Sequence, residues 1–532
     1  MITELKMKKI YITIIAICAM LASACTDDLN VSPIDPDVQT PGNVLTDLEG
    51  YKQLLAKLYG GLALTGQIGP ASPDSQGDIV GIDEGFSSYL RGYFLHQEMT
   101  TDEAVIGWND QTIKDFHDLD YGASDLFVRG MYSRIFYQIT LANQFLRETA
   151  DVGNLPEADQ QQIVAFRAEA RFLRALSYWH AMDMFYEVPF VTEENKIGAF
   201  LPEQATSEEV FKYIESELLA INDDLADPRQ NEYARADKAA AWALLAKLYL
   251  NANLYIGEGR YTECITYCNK IINAGYSLDP DYSHMFLADN ENSPEFIFQI
   301  AFDGANTQSY GGTTFIIRGA VGGSMSAANF GIEGGWSGMR TTSGLVNKFD
   351  DITGNTDSRA MFYTNGQSLE INKISEFTDG YAITKFKNVT STGAQGSNAQ
   401  FTDTDFPVFR LADIYLTYAE AVLRGGTGGS AATALQYMND LRERAYGDAS
   451  GNISQGELNL DYIIDERARE LYWECHRRTD LVRFGLLTTD NYLWPWKGGI
   501  KSGKSVDGKY NYFPLPSSDV AANPNLKQPF NY

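Results

Sequence analysis

Acidic side chains are the most numerous chemically active groups in this chain, with 70 Asp and Glu among 532 residues. Asp102 with Glu103 and Asp350 with Asp351 form adjacent carboxylate pairs. Hydrolysis of a glycosidic bond needs two carboxyl groups that face each other about 5–10 Å apart across a cleft. Adjacency in sequence does not supply that separation, and adjacent pairs arise by chance in so acidic a chain. A surface glycoside hydrolase therefore stays an alternative function for this chain, but the sequence contains no motif that specifically supports it.

Cysteine and histidine do not form a metal-binding pattern. Cys264 and Cys268 are four residues apart, as on one face of a helix, but no nearby His or Cys completes a metal site. With Cys475 they make an odd set of three, so we predict buried structural thiols. The sequence also contains no HExxH, Walker phosphate loop or GxSxG motif. We expect neither a cofactor nor a metal.

Aromatic residues in loops indicate binding chemistry instead. Trp108 stands beside Asn109 and close to Gln111, Trp336 is flanked by glycines, and Tyr310 precedes a glycine pair. Sugar rings offer apolar C–H faces that stack on aromatic rings, and hydroxyl edges that bond to amides and carboxylates. These five residues are therefore candidates to bind a ligand that offers such faces and edges. The alternative for Trp108 is packing of its loop onto the scaffold.

A third aromatic cluster lies near the C-terminus. Trp494 and Trp496 occur in the segment YLWPWKGG. Because this segment adjoins a proline-rich tail that suits extended backbone, we expect both side chains to pack in the core or against loops rather than bind a ligand.

The N-terminus has the layout of an export signal. A basic start precedes an apolar run at 10–21, the small residues 22–24 and then Cys25. The run is too short for a membrane span, which needs about 20 residues. The layout resembles a bacterial lipoprotein signal, so we predict a signal peptide at 1–24 and lipidation of Cys25. A plain secretory signal is the alternative. The acidic pair Asp27 and Asp28 resembles a signal for export to the outer face of the outer membrane.

Charge and periodicity limit the classes of function and fold. The formal net charge of −28 disfavours nucleic-acid binding, which needs clustered cations. We predict a polar tether at 25–49, then a mainly α-helical scaffold at 50–276 made of tetratricopeptide-like helix pairs, in which loop 64–125 contributes to the binding face. Residues 277–405 predict a loop-rich insertion with short strands, including 296–302 and 313–317. Helices resume within 406–532, one of them at 461–484.

The C-terminal third carries a specific resemblance. The segments 409–426, 437–445, 465–485 and 513–532 occur in an order that resembles the successive signatures of the RagB/SusD family. The resemblance extends back through residues 98–103 (EMTTDE) to Cys25. It implies a SusD-like fold and a lipoprotein of the outer membrane that faces outward, binds glycans without cleaving them, and associates with a SusC-type TonB-dependent transporter.

The resemblance also implies site residues. Starch-binding members carry an acidic residue, an Arg and a Trp in the first loop region, which match Asp83, Arg91 and Trp108 here, with Gln111 following. The charged helix within 465–485 is instead predicted to be structural. A tetratricopeptide-like scaffold that binds only proteins is the remaining alternative, although it leaves the aromatic loops without a purpose.

Overall fold

The computed structural model describes residues 44–67, 69–70, 77–196, 198 and 200–532. The predicted signal peptide and Cys25 lie outside the described residues. The chain divides into two units, Met1–Tyr51 and Lys52–Tyr532. Described residues 44–51 of the first unit contain the start of one helix. All further structural statements concern the second unit.

The described residues contain 16 α-helices, which confirms the mainly α fold. In chain order they are α1 (Leu48–Ala63), α2 (Tyr89–Glu98), α3 (Gln111–Asp118), α4 (Leu126–Glu148), α5 (Glu157–Phe185), α6 (Ser207–Ala220), α7 (Lys238–Leu250), α8 (Ala252–Ile256), α9 (Tyr261–Ile272), α10 (Gly312–Ala320), α11 (Ser343–Val346), α12 (Leu411–Leu423), α13 (Ala431–Tyr446), α14 (Leu460–Leu471), α15 (Arg477–Arg483) and α16 (Ser517–Ala522).

Strands are short and pair two by two, each pair antiparallel. The pairs are β1 (Val105–Ile106) with β5 (Met339–Arg340), β2 (Val188–Pro189) with β3 (Gln204–Ala205), β4 (Phe296–Ile300) with β8 (Phe406–Arg410), and β6 (Phe362–Tyr363) with β7 (Ala382–Ile383). The predicted strand at 296–302 corresponds to β4, and its partner β8 lies more than 100 residues further along the chain.

Helices that are close together in the chain pack as pairs, as the tetratricopeptide-like pattern predicts. Helix α4 packs on α5, α5 on α6, α7 on α9, and α12 on α13. Capping side chains define several starts: Thr206 and Glu209 form a capping box at α6, and the Asp237 carboxylate accepts two backbone N–H groups at α7. The alanine-rich α7 is buried along almost its whole length, so neighbouring helices approach it closely.

The predicted strand at 313–317 is wrong, because these residues belong to α10. β-Branched residues in this run favour a strand by propensity, but every residue of α10 is buried and the helix packs against α2. An apolar run buried all round lacks the alternation that separates strand from helix, and tertiary packing decides between them.

The single helix predicted at 461–484 is also wrong. It breaks into α14 and α15 because Trp473 and Cys475 adopt left-handed backbone conformations, with φ of 62° and 65°. Two buried carboxylates hold the break: Glu103 accepts the N–H of Trp473 at 3.1 Å, and Glu98 accepts that of Cys475 at 2.6 Å. The EMTTDE segment therefore shapes the turn between the two helices.

Ion pairs fill the core around α14. Arg410 lies 1% exposed and contacts Glu295, Glu470 and Glu474 at 2.6–2.7 Å. The structural role predicted for the charged helix is thus confirmed, with its charges buried rather than solvated. Cys264, Cys268 and Cys475 are buried free thiols, also as predicted. Within the described residues, every helix is too short or too polar to cross a membrane.

Candidate ligand-binding site

The pairing of β1 with β5 brings Trp108 next to Trp336. Trp108 follows β1 by two residues, and Trp336 precedes β5 by three. The ladder continues past the strands, since Gly107 N–H donates to the Gly338 carbonyl at 3.0 Å. The Trp108 indole N–H then donates to the carbonyl of Trp336 at 3.1 Å. Two residues 228 positions apart are therefore joined by direct hydrogen bonding.

Helix α10 places the third aromatic side chain. Tyr310 stands two residues before α10, and the carbonyl of Arg318 near the other end of that helix accepts the backbone N–H of Trp336 at 2.7 Å. The N-terminal end of α10 therefore presents Tyr310 while its C-terminal end anchors Trp336.

The three rings form one continuous group, which we call the aromatic triad (Trp108, Trp336 and Tyr310). Trp108 and Trp336 have ring centroids 6.3 Å apart and ring planes inclined by 57°. Trp336 and Tyr310 are also 6.3 Å apart, inclined by 58°. All three side chains are half-buried, so part of each remains open to solvent. The two clusters proposed separately from the sequence are a single surface.

A glycine allows the close approach of the strand to Trp108. A Cβ atom at Gly338 would lie 2.5 Å from the indole Cε2 of Trp108, closer than real Cβ contacts allow. By contrast, a Cβ at Gly334 in the same loop would meet nothing within 4 Å. The glycines around Trp336 therefore differ in role: Gly338 makes room for a ring of the triad, whereas Gly334 is open.

Asp83 and Arg91 lie near the Tyr310 end of the triad. Arg91 is buried at 7% exposure, and its guanidinium lies 5.0 and 4.4 Å from the ring centroids of Phe86 and Phe315. Its Nη1 donates weakly to the Tyr310 carbonyl at 3.5 Å. The exposed Asp83 carboxylate caps the turn at Gly85, accepting its N–H at 2.9 Å.

Asn109 and Gln111 are exposed at the start of α3, where Asn109 precedes the helix and Gln111 is its first residue, and both bond to side chains of that helix. Lys114 Nζ donates to Asn109 Oδ1 at 2.7 Å, and Gln111 Nε2 donates to Asp115 at 2.6 Å. The structure thus joins Trp108, Trp336 and Tyr310 by direct ring contacts, and places Asn109 and Gln111 beyond Trp108 along the chain.

Arg340 of β5 connects backbone segments next to the triad. Its guanidinium donates to the carbonyls of Gly338, Ile374 and Asp379 at 2.5–2.9 Å. Burial lowers the pKa of Arg340 to about 10, so the group still carries its charge at neutral pH.

Sequence reasoning missed Arg318 and Gln400, both of which contact the triad. The Arg318 guanidinium lies 5.3 Å from the ring centroid of Trp336, and Gln400 donates from Nε2 to the Tyr310 hydroxyl. Arg318 sits in the helix that was predicted as a strand, and no local pattern marks Gln400. Neither residue carried a detectable signal in the sequence alone.

The side chains of the other candidate residues are held by contacts within the protein. Trp494 is buried at 3% exposure, and the half-buried Trp496 donates its indole N–H to the Ile371 carbonyl at 2.9 Å, as the packing interpretation predicted. Although burial opposes ionisation of Asp102, its bidentate contact with the Arg477 guanidinium lowers its pKa. Hydrogen bonds from Thr353 lower the pKa of Asp351 to about 2.

Sequence comparisons agree with this architecture. A family profile described as "SusD family" matches residues 354–532, and one described as "Starch-binding associating with outer membrane" matches 89–250. The starch-binding protein SusD of Bacteroides thetaiotaomicron is 36% identical, covering 98% of both chains. A SusD-like protein of Bacteroides ovatus is 25% identical, covering 76% of this chain and 82% of the relative.

Solved structures share the fold. A SusD superfamily protein from Parabacteroides distasonis aligns with a TM-score of 0.71 at 22% identity, covering 91% of this chain and 99% of that one. Surface glycan-binding protein A from B. thetaiotaomicron, solved in complex with laminarihexaose, aligns with a TM-score of 0.68 at 19% identity, covering 90% and 99%.

These findings define a mainly helical protein built on tetratricopeptide-like pairs that displays an aromatic surface from its loops. Its sequence identity to a curated relative over nearly the whole chain gives the family directly. The chain belongs to the SusD family.

Proposed function

We propose that this protein binds a glycan on the aromatic triad and does not cleave it. The observation that carries the proposal is the convergence of Trp108, Trp336 and Tyr310 into one half-exposed surface with centroids 6.3 Å apart. Rings at this spacing suit successive sugar units, whose C–H faces stack on aromatic faces. Asp83 and Arg91 beside Tyr310, and Asn109 and Gln111 beyond Trp108, would supply hydrogen bonds to hydroxyl groups.

An α-glucan is the polysaccharide class that the similarity to a starch-binding relative supports. Successive ring planes in the triad incline by 57° and 58°, so the three rings do not form the flat platform that a flat ribbon of sugars would need. Covering one indole face removes about 80–100 Å² of apolar surface from water, worth about 2 kcal/mol at ~25 cal/mol/Å² before ordering costs.

The carboxylates support binding without hydrolysis. Asp102 is held by Arg477 and by the Tyr492 hydroxyl in the core, and Glu103 is buried beside it. The side chain of Asp351 organises its own turn through Thr353 and Thr356. A glycosidase acid needs a carboxyl that reaches substrate with a pKa raised toward neutrality. Asp102 and Asp351 have lowered pKa values instead. Burial raises the pKa of Glu103 to about 7, but its side chain is enclosed in the core, at 1% exposure, and does not reach a substrate at the surface.

Anchoring and delivery complete the proposal. Lipidation at Cys25 would hold the protein at the outer membrane, since several acyl chains give lasting attachment where one does not. The matched profile for outer-membrane association supports this location. Membership of the SusD family supports delivery of the captured glycan to a SusC-type transporter. Residues 25–49 would then serve as the tether between lipid and folded domain.

Titration of maltoheptaose into the purified protein tests the binding claim. We expect the Trp336→Ala variant to bind about 30-fold more weakly, because one stacking platform worth about 2 kcal/mol is lost. Trp242→Ala is the matched control, since Trp242 is also half-buried but bonds to Asn222 on the helical scaffold. Chromatography of the incubated sugar should recover maltoheptaose intact.

Three results would contradict the proposal. Equal losses in the Trp336 and Trp242 variants would remove the triad as the site, and shorter sugars in the incubation would indicate hydrolysis. Failure to retain maltoheptaose, soluble starch and laminarihexaose alike would contradict glycan binding itself. For anchoring, we expect Cys25→Ala to abolish incorporation of labelled palmitate in the native host, and co-purification should recover the transporter with the wild-type protein.

A further inference from the structure

Two polar residues, Arg318 and Gln400, contact side chains of the aromatic triad. Arg318 lies on α10 with 8% of its surface exposed, and its guanidinium carbon is 5.3 Å from the Trp336 ring centroid. A cation at that distance is attracted by the negative face of the indole. The carbonyl of the same residue accepts the backbone N–H of Trp336 at 2.7 Å. Arg318 therefore fixes both the main chain and the ring of Trp336.

The guanidinium also reaches the third ring through Gln400. Arg318 Nη1 donates to the Gln400 carbonyl at 3.1 Å, and the Gln400 side chain donates from Nε2 to the Tyr310 hydroxyl. Phe401, next in the chain, packs on the Tyr310 ring with centroids 5.3 Å apart. One buried arginine is thus connected to both Trp336 and Tyr310.

The bond from Gln400 determines what the Tyr310 hydroxyl can offer. A tyrosine hydroxyl carries one proton and accepts hydrogen bonds at its oxygen. Because the oxygen accepts from Gln400, its own proton cannot point along that bond and is directed elsewhere. Tyr310 would therefore present a hydrogen-bond donor toward the open surface.

We infer that Arg318 and Gln400 are positioning residues, which set the ring orientation of Trp336 and direct the Tyr310 hydroxyl proton toward a sugar oxygen. The inference rests on the proposed glycan binding for its effect on affinity, while its effect on ring orientation is a property of the free protein. Neither residue is assigned a contact with the ligand. Glu333, more than half exposed, pairs with Arg318 from the solvent side at 3.2 Å and contributes little.

The ligand-free test is near-ultraviolet circular dichroism, which is sensitive to the mutual orientation of neighbouring indoles, and the contribution of the Trp108–Trp336 pair is obtained from the difference between wild type and Trp336→Ala. We expect Arg318→Met to change this spectrum in the same direction as Trp336→Ala. The matched control is Arg424→Met, since Arg424 also lies over an aromatic ring, 4.7 Å from the Phe484 centroid, on another part of the scaffold. Arg318→Lys retains a cation over the ring and should recover part of the signal.

The affinity test is a double-mutant cycle with maltoheptaose. We expect Gln400→Leu to weaken binding about fivefold in the wild-type background, as for one lost hydrogen bond, and less than about twofold in the Tyr310→Phe background. A general structural defect would weaken binding equally in both backgrounds. Arg318→Met should weaken binding about tenfold, and Glu333→Gln less than about twofold.

Either arm can overturn the inference. An unchanged spectrum in Arg318→Met refutes the orienting role even where the glycan binds normally. Equal effects of Gln400→Leu in both backgrounds refute the action through Tyr310. If the wild-type protein holds no maltoheptaose, the proposed function fails, and the spectrum still decides whether Arg318 orients Trp336. Melting curves identify any variant that has not folded.

Discussion

The core around α14 and the aromatic triad stabilise their structure by opposite means. In the core, Arg410 and its three glutamate partners are almost completely buried, and each charge has a partner from a distant segment. In the triad, the rings are half-buried, and the Trp108 indole N–H donates to the backbone carbonyl of Trp336. The charged segment that contributes to the family resemblance belongs to the core, whereas the triad lies in loops next to short strands.

The largest effect should come from breaking the core. Arg410→Met leaves Glu295, Glu470 and Glu474 buried without their shared cation, which costs about 3–5 kcal/mol of unfolding free energy. Urea denaturation measures the loss. The folded fraction should still bind maltoheptaose with the wild-type constant. A loss below about 1 kcal/mol would mean that the ion pairs are not what stabilises this core.

Asp405 is a second kind of buried carboxylate, because its hydrogen-bond donors are neutral, whereas the glutamates around Arg410 are paired with cations. Its oxygens accept from the Tyr233 hydroxyl and the Phe302 N–H, with Glu291 and Asp403 among the charges nearby. Burial raises its pKa to about 7. The unfolded value is about 4, so the folded chain binds more protons between these values and unfolding free energy falls as pH rises from 4 to 7.

The variant Asp405→Asn removes this proton uptake while keeping an acceptor for Phe302. As the pH rises from 4 to 7, we expect the unfolding free energy of the wild type to fall relative to that of the variant, by up to about 1 kcal/mol per pH unit. Denaturation at several pH values measures this difference. Parallel pH profiles for the two proteins would contradict the raised pKa.

A smaller effect tests the room made for Trp108. Gly338→Ala places a methyl group against the indole, which must move, and we expect maltoheptaose to bind about tenfold more weakly with a stability loss of about 1–2 kcal/mol. Gly334→Ala is the control in the same loop, where the added methyl meets no neighbour. Similar affinities for the two variants would show that the position of Trp108 does not matter.

The smallest effect belongs to the surface. Lys52 and Glu232 form an ion pair at 2.8 Å with side chains 42% and 58% exposed. Because solvent screens such a pair, Glu232→Gln should change the unfolding free energy by less than about 0.5 kcal/mol. Urea denaturation alongside Arg410→Met provides the contrast. A loss close to that of Arg410→Met would show that burial does not distinguish the two kinds of pair.

The sequence predicted the helical scaffold because its Ala and aromatic residues recur at helical spacing, as in α5 and α7. It failed at 313–317, where burial on all sides conceals the periodicity, and at Trp473, where distant carboxylates stabilise an unusual turn. Trp108, Trp336 and Tyr310 could be selected by residue type and by their glycine neighbours. Their convergence depends on the pairing of β1 with β5, which no local pattern reveals.

A crystal structure of the protein with maltoheptaose tests the central claim most directly. We expect sugar rings stacked within about 4 Å of the Trp108, Trp336 and Tyr310 side chains. Maltoheptaose bound elsewhere on the molecule, with the triad uncovered, would contradict the account.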